Sequence, residues 1–124
     1  MAKIYSHKDL EVYKLAYKLA MEIFEFSKSF PKEEKYSLTD QIRRSSRSAA
    51  VNLPEAWRKR KYPKHFVSKI TDSEGEASET QSWLEFSKDC GYISEEISQR
   101  LDKEYDKLLG MLVNMRNNPG KWTL

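Results

Sequence analysis

Apolar side chains recur at intervals of three and four residues in four separate blocks of this 124-residue chain, and that spacing is typical of amphipathic α-helices. No stretch shows a convincing alternation of the kind that predicts a β-strand. The four glycines and four prolines stand mostly where a helix would begin or end. Because a chain of this length forms one domain with a single core by default, the pattern predicts one all-α domain over residues 1–124, with its core in about residues 8–115 and a short C-terminal tail.

The first block predicts a helix from about Ser6 to Ser29. Ser6 and Asp9 have the spacing of a capping box, in which each side chain accepts a hydrogen bond from the backbone near the other. Pro31 then ends the helix, because a proline has no N–H to continue the backbone hydrogen bonds.

The second helix is expected to begin near Ser37, and the third is expected to begin near Pro63 and to end at Gly91. Pro54 predicts a local bend in the second helix. Gly75, inside the third helix, costs up to about 1 kcal/mol relative to Ala, which predicts a packing reason for it. The residues expected to face the core are Leu38, Ile42, Ser45, Ala49, Leu53 and Ala56 in the second helix and Phe66, Ile70, Ser73, Ala77, Thr80 and Leu84 in the third.

The fourth helix is expected to start after Ser94 and to run to about Met115, before residues 117–120 end regular structure. Its core residues are expected to be Ile97, Leu101, Leu108, Leu112 and Met115, with Tyr105 beside them. The connections between the four helices are short, which favours antiparallel neighbours. The prediction is an antiparallel up-down-up-down four-helix bundle.

Charge is distributed unevenly along the chain, although the formal net charge is only +3. Residues 36–66 contain eight Lys and Arg against two Asp and Glu, whereas residues 67–100 contain three against eight. A basic second helix is therefore followed by an acidic third helix.

These charges form stripes on the helix sides that face away from the core rows, at about 100° per residue. If the second and third helices form a hairpin that turns near residues 61–62, Arg44 is level with Glu79. Arg47 is level with Glu76 in the same way. The two stripes then neutralise each other within the hairpin or between neighbouring subunits. The alternative is two solvated faces whose exposed ion pairs are worth about 0–1 kcal/mol each.

Trp83 and Phe86 are also predicted on the side of the third helix away from the core. Such an aromatic pair indicates a second buried face, which favours an oligomer. A positive face that meets a negative face of the next copy makes a heterologous contact, which closes into a ring or continues as a filament. The residues expected in this interface or in a structural polar network are Arg43, Arg44, Arg47, Asn52, Glu55, Glu76, Glu79, Trp83 and Phe86.

The densest basic stretch lies at the expected turn between the second and third helices. Positive residues at the end of a helix suit its dipole, but this does not explain Lys64 at the start of the next helix. Phosphate groups of RNA or DNA are the natural partner of such a cluster, and Tyr62 or Trp57 would add base stacking. A solvated turn without a ligand is the alternative. The candidate nucleic-acid-binding residues are Arg58, Lys59, Arg60, Lys61 and Lys64.

No arrangement of residues predicts an active site or a metal centre, so the chain is not expected to be an enzyme. His7 and His65 are the only histidines, and neither follows a Glu by three residues as di-iron bundles require. Cys90 is the single cysteine and has no obvious activating partner, so a buried packing role is expected for it.

One carboxylate pair is the remaining catalytic option, because Glu55 and Glu79 would approach each other across the hairpin. A structural role beside Arg44 or Asn52 is favoured over acid–base catalysis for both. No cofactor or small-molecule substrate is expected.

Several motifs occur together along the chain: Leu10-Glu11-Val12-Tyr13, Phe30-Pro31-x-x-Glu34-x-Tyr36-x-Leu38-x-x-Gln41-Ile42-Arg43-Arg44-Ser45, Asn52-Leu53-Pro54-Glu55-Ala56, Gly75-x-x-x-Glu79 and Gly91-Tyr92-Ile93. With these motifs the chain resembles, over about residues 8–113, the bacterial four-helix bundle family called 23S rRNA intervening-sequence proteins. Ala56 and Glu76 depart from the family pattern, which usually has Gly and Ser there, and Pro54 is uncommon in it.

The resemblance implies a four-helix bundle that assembles as a ring, commonly a homopentamer, with no established enzymatic activity. Family members are encoded in insertions within large-subunit rRNA genes and also elsewhere. The fold is similar to that of accessory proteins of diversity-generating retroelements, which are basic pentameric rings that bind nucleic acid and a reverse transcriptase.

The expected protein is therefore a non-catalytic, ring-forming bundle that binds RNA or DNA through basic patches. The alternative is a protein-interaction scaffold without nucleic acid, for example an accessory subunit of a reverse transcriptase. No apolar run approaches the 18 or so residues of a membrane span, so no membrane partner and a cytoplasmic location are expected.

Overall fold

A computed structural model describes residues 3–123, and most of them lie in four α-helices. The helices are α1 (Glu11–Ser27), α2 (Leu38–Arg58), α3 (Pro63–Asp89) and α4 (Glu95–Asn117), with short 3₁₀ turns at His7–Asp9, Lys32–Glu34 and Pro119–Lys121. None of the helices in this range combines the length and apolar character that a membrane span requires.

The helices pack as a square in which each one contacts its neighbours in chain order and α1 closes against α4. The contact between α2 and α3 is the most extensive of the four. Because successive helices are joined by short connections, they run in opposite directions. This arrangement confirms the predicted all-α, antiparallel up-down-up-down bundle.

The core rows predicted for α2 and α3 are confirmed, since every residue of both rows is buried. The α2–α3 seam is lined by small side chains, and two buried hydrogen bonds cross it. Ser73 Oγ donates to the Ala49 carbonyl oxygen at 2.6 Å, and Thr80 Oγ1 lies 2.8 Å from Ser45 Oγ. Small residues at this seam let the two backbones approach closely.

The start of α1 differs from the prediction. The Ser6–Asp9 capping box is present, but it caps the 3₁₀ turn His7–Asp9 and not α1. Leu10 then adopts an extended backbone, with φ −71° and ψ 127°, so α1 begins only at Glu11. The side chain of Leu10 is buried, and the break at this residue lets the 3₁₀ turn pack against α2.

Two glycines behave differently. Gly91 has φ +80° and ends the third helical segment as predicted, because this left-handed conformation strongly favours glycine. Gly75 is exposed, and a Cβ placed on it would meet nothing within 4 Å. The expected packing reason for Gly75 is therefore wrong within this chain.

The chain after α4 is more ordered than predicted. It forms the 3₁₀ turn Pro119–Lys121 against α3. Trp122 is half-buried and packs on the core. Both this turn and the turn at His7–Asp9 lie at the end of the bundle where α2 passes into α3.

The tight α2–α3 seam leads to a prediction. Ala77 is fully buried at this seam, whereas the next residue, Ser78, is exposed. Ala77→Leu is expected to lower the free energy of unfolding by about 1–3 kcal/mol, because the added carbons force the helices apart. Ser78→Leu, the matched control on the same helix, is expected to change it by less than about 0.5 kcal/mol. Urea unfolding followed by circular dichroism measures both, and equal values for the two variants would contradict the close seam.

Candidate functional site

The turn between α2 and α3 carries the densest group of cations without an ion pair, and we call residues 58–64 the basic turn. Backbone hydrogen bonds shape it: the Lys59 N–H donates to the Glu55 and Ala56 carbonyls, and the Tyr62 N–H donates to the Lys59 carbonyl at 2.9 Å. Pro63 then begins α3. The exposed cations on this turn are Arg58, Lys59, Lys61 and Lys64.

Arg60 has a different role from its neighbours. Its guanidinium carbon lies 3.4 Å from the centroid of the Trp57 ring, and its Nε donates to the Trp57 carbonyl oxygen at 2.8 Å. Trp57 packs against the core, so Arg60 closes the end of α2. Tyr62, by contrast, is exposed and stands beside His65, with 5.6 Å between ring centroids.

The basic turn has no acidic partner within residues 3–123. The ion pairs in this part of the chain involve none of its four exposed cations. No Asp or Glu occurs between Glu55 and Asp72. Lys121, on the 3₁₀ turn after α4, is also exposed at this end of the bundle and adds to the positive charge. Lys8 adds no net charge, because Asp9 lies on the same 3₁₀ turn.

The charged stripes meet within the hairpin, as one of the two predicted arrangements requires. Arg44 forms ion pairs with both Glu76, at 3.1 Å, and Glu79. The Trp83 Nε1–H also donates to Glu79, at 3.3 Å. The predicted pairing of Arg44 with Glu79 is confirmed.

The predicted pairing of Arg47 with Glu76 is wrong. The fork of the Arg44 guanidinium is wide enough to hold both carboxylates, so Glu76 is already occupied. Arg47 lies on the other side of α2, with its guanidinium carbon 5.5 Å from the centroid of the Phe24 ring. It therefore remains without a carboxylate partner among the residues described.

The aromatic pair on α3 is only partly as predicted. Phe86 is 56% exposed, as expected for a residue away from the core. Trp83 is half-buried and packs against the core, so its assignment to the outer face is wrong. Its hydrogen bond to Glu79 holds the indole against α3. The two rings lie 5.7 Å apart.

The remaining residues of the expected polar network lie apart from one another. Arg43 Nε donates to Ser27 Oγ at 2.7 Å, which ties α2 to α1. Asn52 is buried and donates to the Ser48 carbonyl oxygen at 2.9 Å. Glu55 forms an ion pair with Lys69 at 3.0 Å and raises the pKa of that lysine.

The structure gives no support to catalysis by paired carboxylates. Glu55 is held by Lys69, whereas Glu79 is held by Arg44, so each has its own cation. Cys90 is exposed, and its expected burial is therefore wrong. Cys90 comes directly after the last residue of α3, at a position that faces away from the core. Within residues 3–123 no group of three or more metal-ligating side chains comes together.

Two grooves were not predicted from the sequence. One follows the outer side of α2 and includes Lys35, Tyr36 and Thr39. The sequence marks these residues only by a cation and an aromatic residue directly before a helix, and by a hydroxyl residue four positions before Arg43. The other, which we call the acidic groove, lies between α3 and α4 and has two carboxylates, Glu85 and Asp102, against one cation, Lys88. Burial and the nearby charges of acidic neighbours raise the pKa of Asp102.

A hydrogen-bonded cluster at the opposite end of the bundle joins the α1–α2 connection to the α3–α4 connection. Glu34 accepts hydrogen bonds from the Ser37 hydroxyl at 2.6 Å and the Tyr92 hydroxyl at 2.9 Å. These bonds lower the pKa of Glu34 and raise the pKa of Tyr92 to about 12. The Ser37 hydroxyl is therefore bonded to the Glu34 carboxylate and does not cap α2.

A family model described as 23S rRNA-intervening sequence protein matches residues 8–114 of this chain. The chain is also similar to a solved protein of unknown function from the S23 ribosomal protein family of Bacteroides thetaiotaomicron VPI-5482. The two are 25% identical, with a TM-score of 0.77, and the match covers 86% of this chain and 95% of the other. Comparison with curated proteins gave no match.

The Glu34 cluster leads to a prediction about pH. Because the folded state favours the Glu34 carboxylate, its contribution to stability is present above the usual pKa of 4.5 and is lost as the pH falls through the lower folded-state pKa. Glu34→Gln is therefore expected to lower the thermal midpoint at pH 7 and to lower it much less at pH 3. The exposed neighbour variant Glu33→Gln is the control, with little expected effect at either pH. A Glu34→Gln deficit that is the same at both pH values would contradict the assignment.

Proposed function

The chain belongs to the 23S rRNA-intervening sequence protein family, and we propose on that basis that it is a non-catalytic bundle that binds RNA through its basic turn. The observation that carries the proposal is the group of four exposed cations without a carboxylate partner among residues 3–123. The family description names a sequence within a ribosomal RNA, which favours RNA over DNA as the nucleic acid.

The charge on the basic turn exceeds what helix capping needs. The C-terminus of α2 and the N-terminus of α3 meet here, and their partial charges of about −0.5 and +0.5 cancel. Five formal positive charges remain within residues 58–64. When these cations neutralise phosphates, the counterions condensed on the nucleic acid are released to solvent, and this release is the main source of affinity for its backbone.

Base stacking has an available partner on the basic turn itself. Tyr62 is 55% exposed, so a base can lie on its ring. The Trp57 ring already carries the Arg60 guanidinium. Stacking on Trp57 is therefore not part of the proposal.

We also propose that copies of the chain assemble into a ring, for which a homopentamer is the expected size. The exposed Phe86 ring beside Trp83 gives an aromatic contact surface. Arg44 does not contribute its charge to such a contact, because Glu76 and Glu79 neutralise it within the chain. In a ring with cyclic symmetry all basic turns lie on the same rim, which adds their positive potentials.

A scaffold that binds another protein without nucleic acid is the second candidate function. The observation that favours it is a groove of about 630 Å³ at the end of the bundle opposite the basic turn, lined by Trp83, Phe86, Tyr36 and Cys90. An accessory subunit of a reverse transcriptase is one form of this alternative.

RNA binding by the basic turn gives a prediction. The fourfold variant Arg58→Gln, Lys59→Gln, Lys61→Gln and Lys64→Gln is expected to weaken binding of a fluorescein-labelled RNA by at least about tenfold at 0.1 M salt, since each lost phosphate contact removes released counterions. Arg60 is left in place because it closes α2. Fluorescence anisotropy over a range of salt concentrations measures affinity and salt dependence together.

The control for this experiment removes the same charge elsewhere. Lys14, Lys18, Lys103 and Lys107 are exposed on α1 and α4, and their combined change to Gln leaves the basic turn intact. This control is expected to keep most of the affinity. RNA binding that is independent of salt, or equal losses for the two fourfold variants, would reject the basic turn as the RNA-binding site.

Ring formation gives a separate prediction. Phe86→Glu places a charge at an exposed position without disturbing the core, and it is expected to lower the molar mass measured by light scattering towards that of one chain. Tyr17→Glu, at an equally exposed aromatic residue on α1, is expected to leave the mass unchanged. A wild-type protein that is already monomeric would rule out the ring.

A further inference from the structure

A groove of about 600 Å³ follows the outer side of α2, and four of its nine lining residues are cations: Lys35, Arg43, Arg44 and Arg47. Lys35 and Tyr36 form its entrance, directly before the helix. Arg43 and Arg47 stand along it, one helical turn apart. Asp40 is the one carboxylate among its lining residues.

Two of the three arginines in this groove, Arg43 and Arg47, are held by contacts that leave their charge unpaired, whereas Arg44 is paired with two glutamates. The guanidinium carbons of Arg43 and Arg47 lie 4.9 and 5.5 Å from the centroid of the same ring, that of Phe24. The Nε–H of Arg43 donates a hydrogen bond to Ser27 Oγ, and Arg43 forms no ion pair within the described part of the chain. Their planar guanidinium groups suit phosphate oxygens, which accept two parallel hydrogen bonds.

The wall of the groove contains a polar atom without a partner. Thr39 is only 8% exposed, and its Oγ1 has no hydrogen-bond partner within residues 3–123. A buried hydroxyl without a partner is costly and therefore rare in folded proteins. Thr39 lies in the first turn of α2, at the positive end of the helix dipole. An anion in the groove would lie at the positive end of this dipole, and it would satisfy the Thr39 hydroxyl once that side chain turns towards it, since Oγ1 is covered in the structure.

An aromatic surface stands at the entrance. The ring of Tyr36 is 84% exposed, and the Lys35 ammonium lies 5.3 Å from its centroid. An exposed ring beside unpaired cations is the arrangement with which proteins hold single-stranded nucleic acid, since bases stack on the ring while cations contact the backbone.

We propose that this groove binds a nucleotide of a single-stranded RNA, with the phosphate against Arg43, Arg47 and Thr39 and the base on Tyr36. The inference rests on the RNA-binding function proposed above and adds a second contact to it. Arg47 and Arg58 are eleven residues apart on α2, which corresponds to about 17 Å along the helix and a rotation of about 20°. The groove and the basic turn therefore lie along one side of the same helix, where one strand can reach both.

The acidic groove of a second copy is the competing occupant. Its wall includes Glu85 and Asp102, whose charge also complements the cations of α2. Two observations favour RNA over this contact: the exposed Tyr36 ring at the entrance and the alignment with the basic turn. The experiment below separates the two occupants.

The test measures binding of a fluorescein-labelled fifteen-nucleotide oligouridine to the full chain over a range of salt concentrations. The double variant Tyr36→Ala and Arg47→Gln is expected to weaken binding by at least about fivefold and to lower the salt slope by about 0.7, the value for one phosphate contact to a single strand. Both residues are exposed, so the fold is retained. Tyr17→Ala with Lys103→Gln is the matched control and is expected to bind as the wild type does.

Thr39→Val provides an independent measurement, because it replaces the hydroxyl by a methyl group of similar size. The free variant is expected to have a higher thermal midpoint than the wild type, since the unpaired hydroxyl is gone. The rise in midpoint on adding the oligouridine is expected to be smaller than in the wild type. A lower midpoint for the free variant would overturn the role given to Thr39.

The results distinguish the groove from the basic turn. If the groove variant binds oligouridine as the wild type does while the fourfold variant of the basic turn fails, the groove inference is overturned and the proposed function stands. The opposite result supports the groove and rejects the basic turn. A groove variant that lowers the molar mass but keeps its RNA affinity shows that a second copy contacts this surface in place of RNA, and the inference is overturned. If uridine monophosphate alone binds as tightly as the oligonucleotide, a free nucleotide is the ligand and the proposal of a strand is overturned.

Discussion

The close approach of α2 and α3 along a seam of small side chains is the constraint on which the other surface features depend. Ser73 and Thr80 use their hydroxyls across this seam, and Ala77 leaves room for the facing backbone. Because the seam is tight, the axial register of α2 relative to α3 is fixed. That register places Arg44 opposite Glu76 and Glu79, and a shift of one helical turn, about 5.4 Å, would separate Arg44 from both glutamates.

The same packing decides which cations of α2 are neutralised within the chain. The side of α2 that faces α3 meets carboxylates, so the positive charge of Arg44 is balanced by ion pairs. The side that faces α1 meets the ring of Phe24, which attracts guanidinium groups without neutralising them. Arg43 and Arg47 are therefore held in a fixed position while their charge stays without an ion pair among the residues described. Neighbouring arginines of one helix thus differ in whether their charge is paired, because they face different partners.

Sequence periodicity predicts which side of a helix a residue occupies, and this was enough for the core of α2 and α3 and for the Arg44–Glu79 pair. It does not predict how far a long side chain reaches. Arg44 holds two carboxylates, which leaves Arg47 without the partner expected for it. Trp83 is large enough to extend from the edge of its face back to the core. The unpaired hydroxyl of Thr39 has no sequence signal, because it follows from the absence of an acceptor in three dimensions.

The geometry of the hairpin keeps the proposed contact between copies apart from the proposed RNA contact at the basic turn, although Tyr36 of the α2 groove lines the same groove as Phe86. Phe86 lies near the end of α3 opposite the basic turn, since the two are separated by more than twenty residues of one helix, about 30 Å. A contact between copies at Phe86 therefore leaves the basic turns free. In a closed ring these turns are repeated at a fixed spacing on one rim, so an RNA long enough to reach two of them gains affinity from the high effective concentration of the second site. Weak individual contacts to phosphate, each sensitive to salt, become sufficient when they are held in such an array.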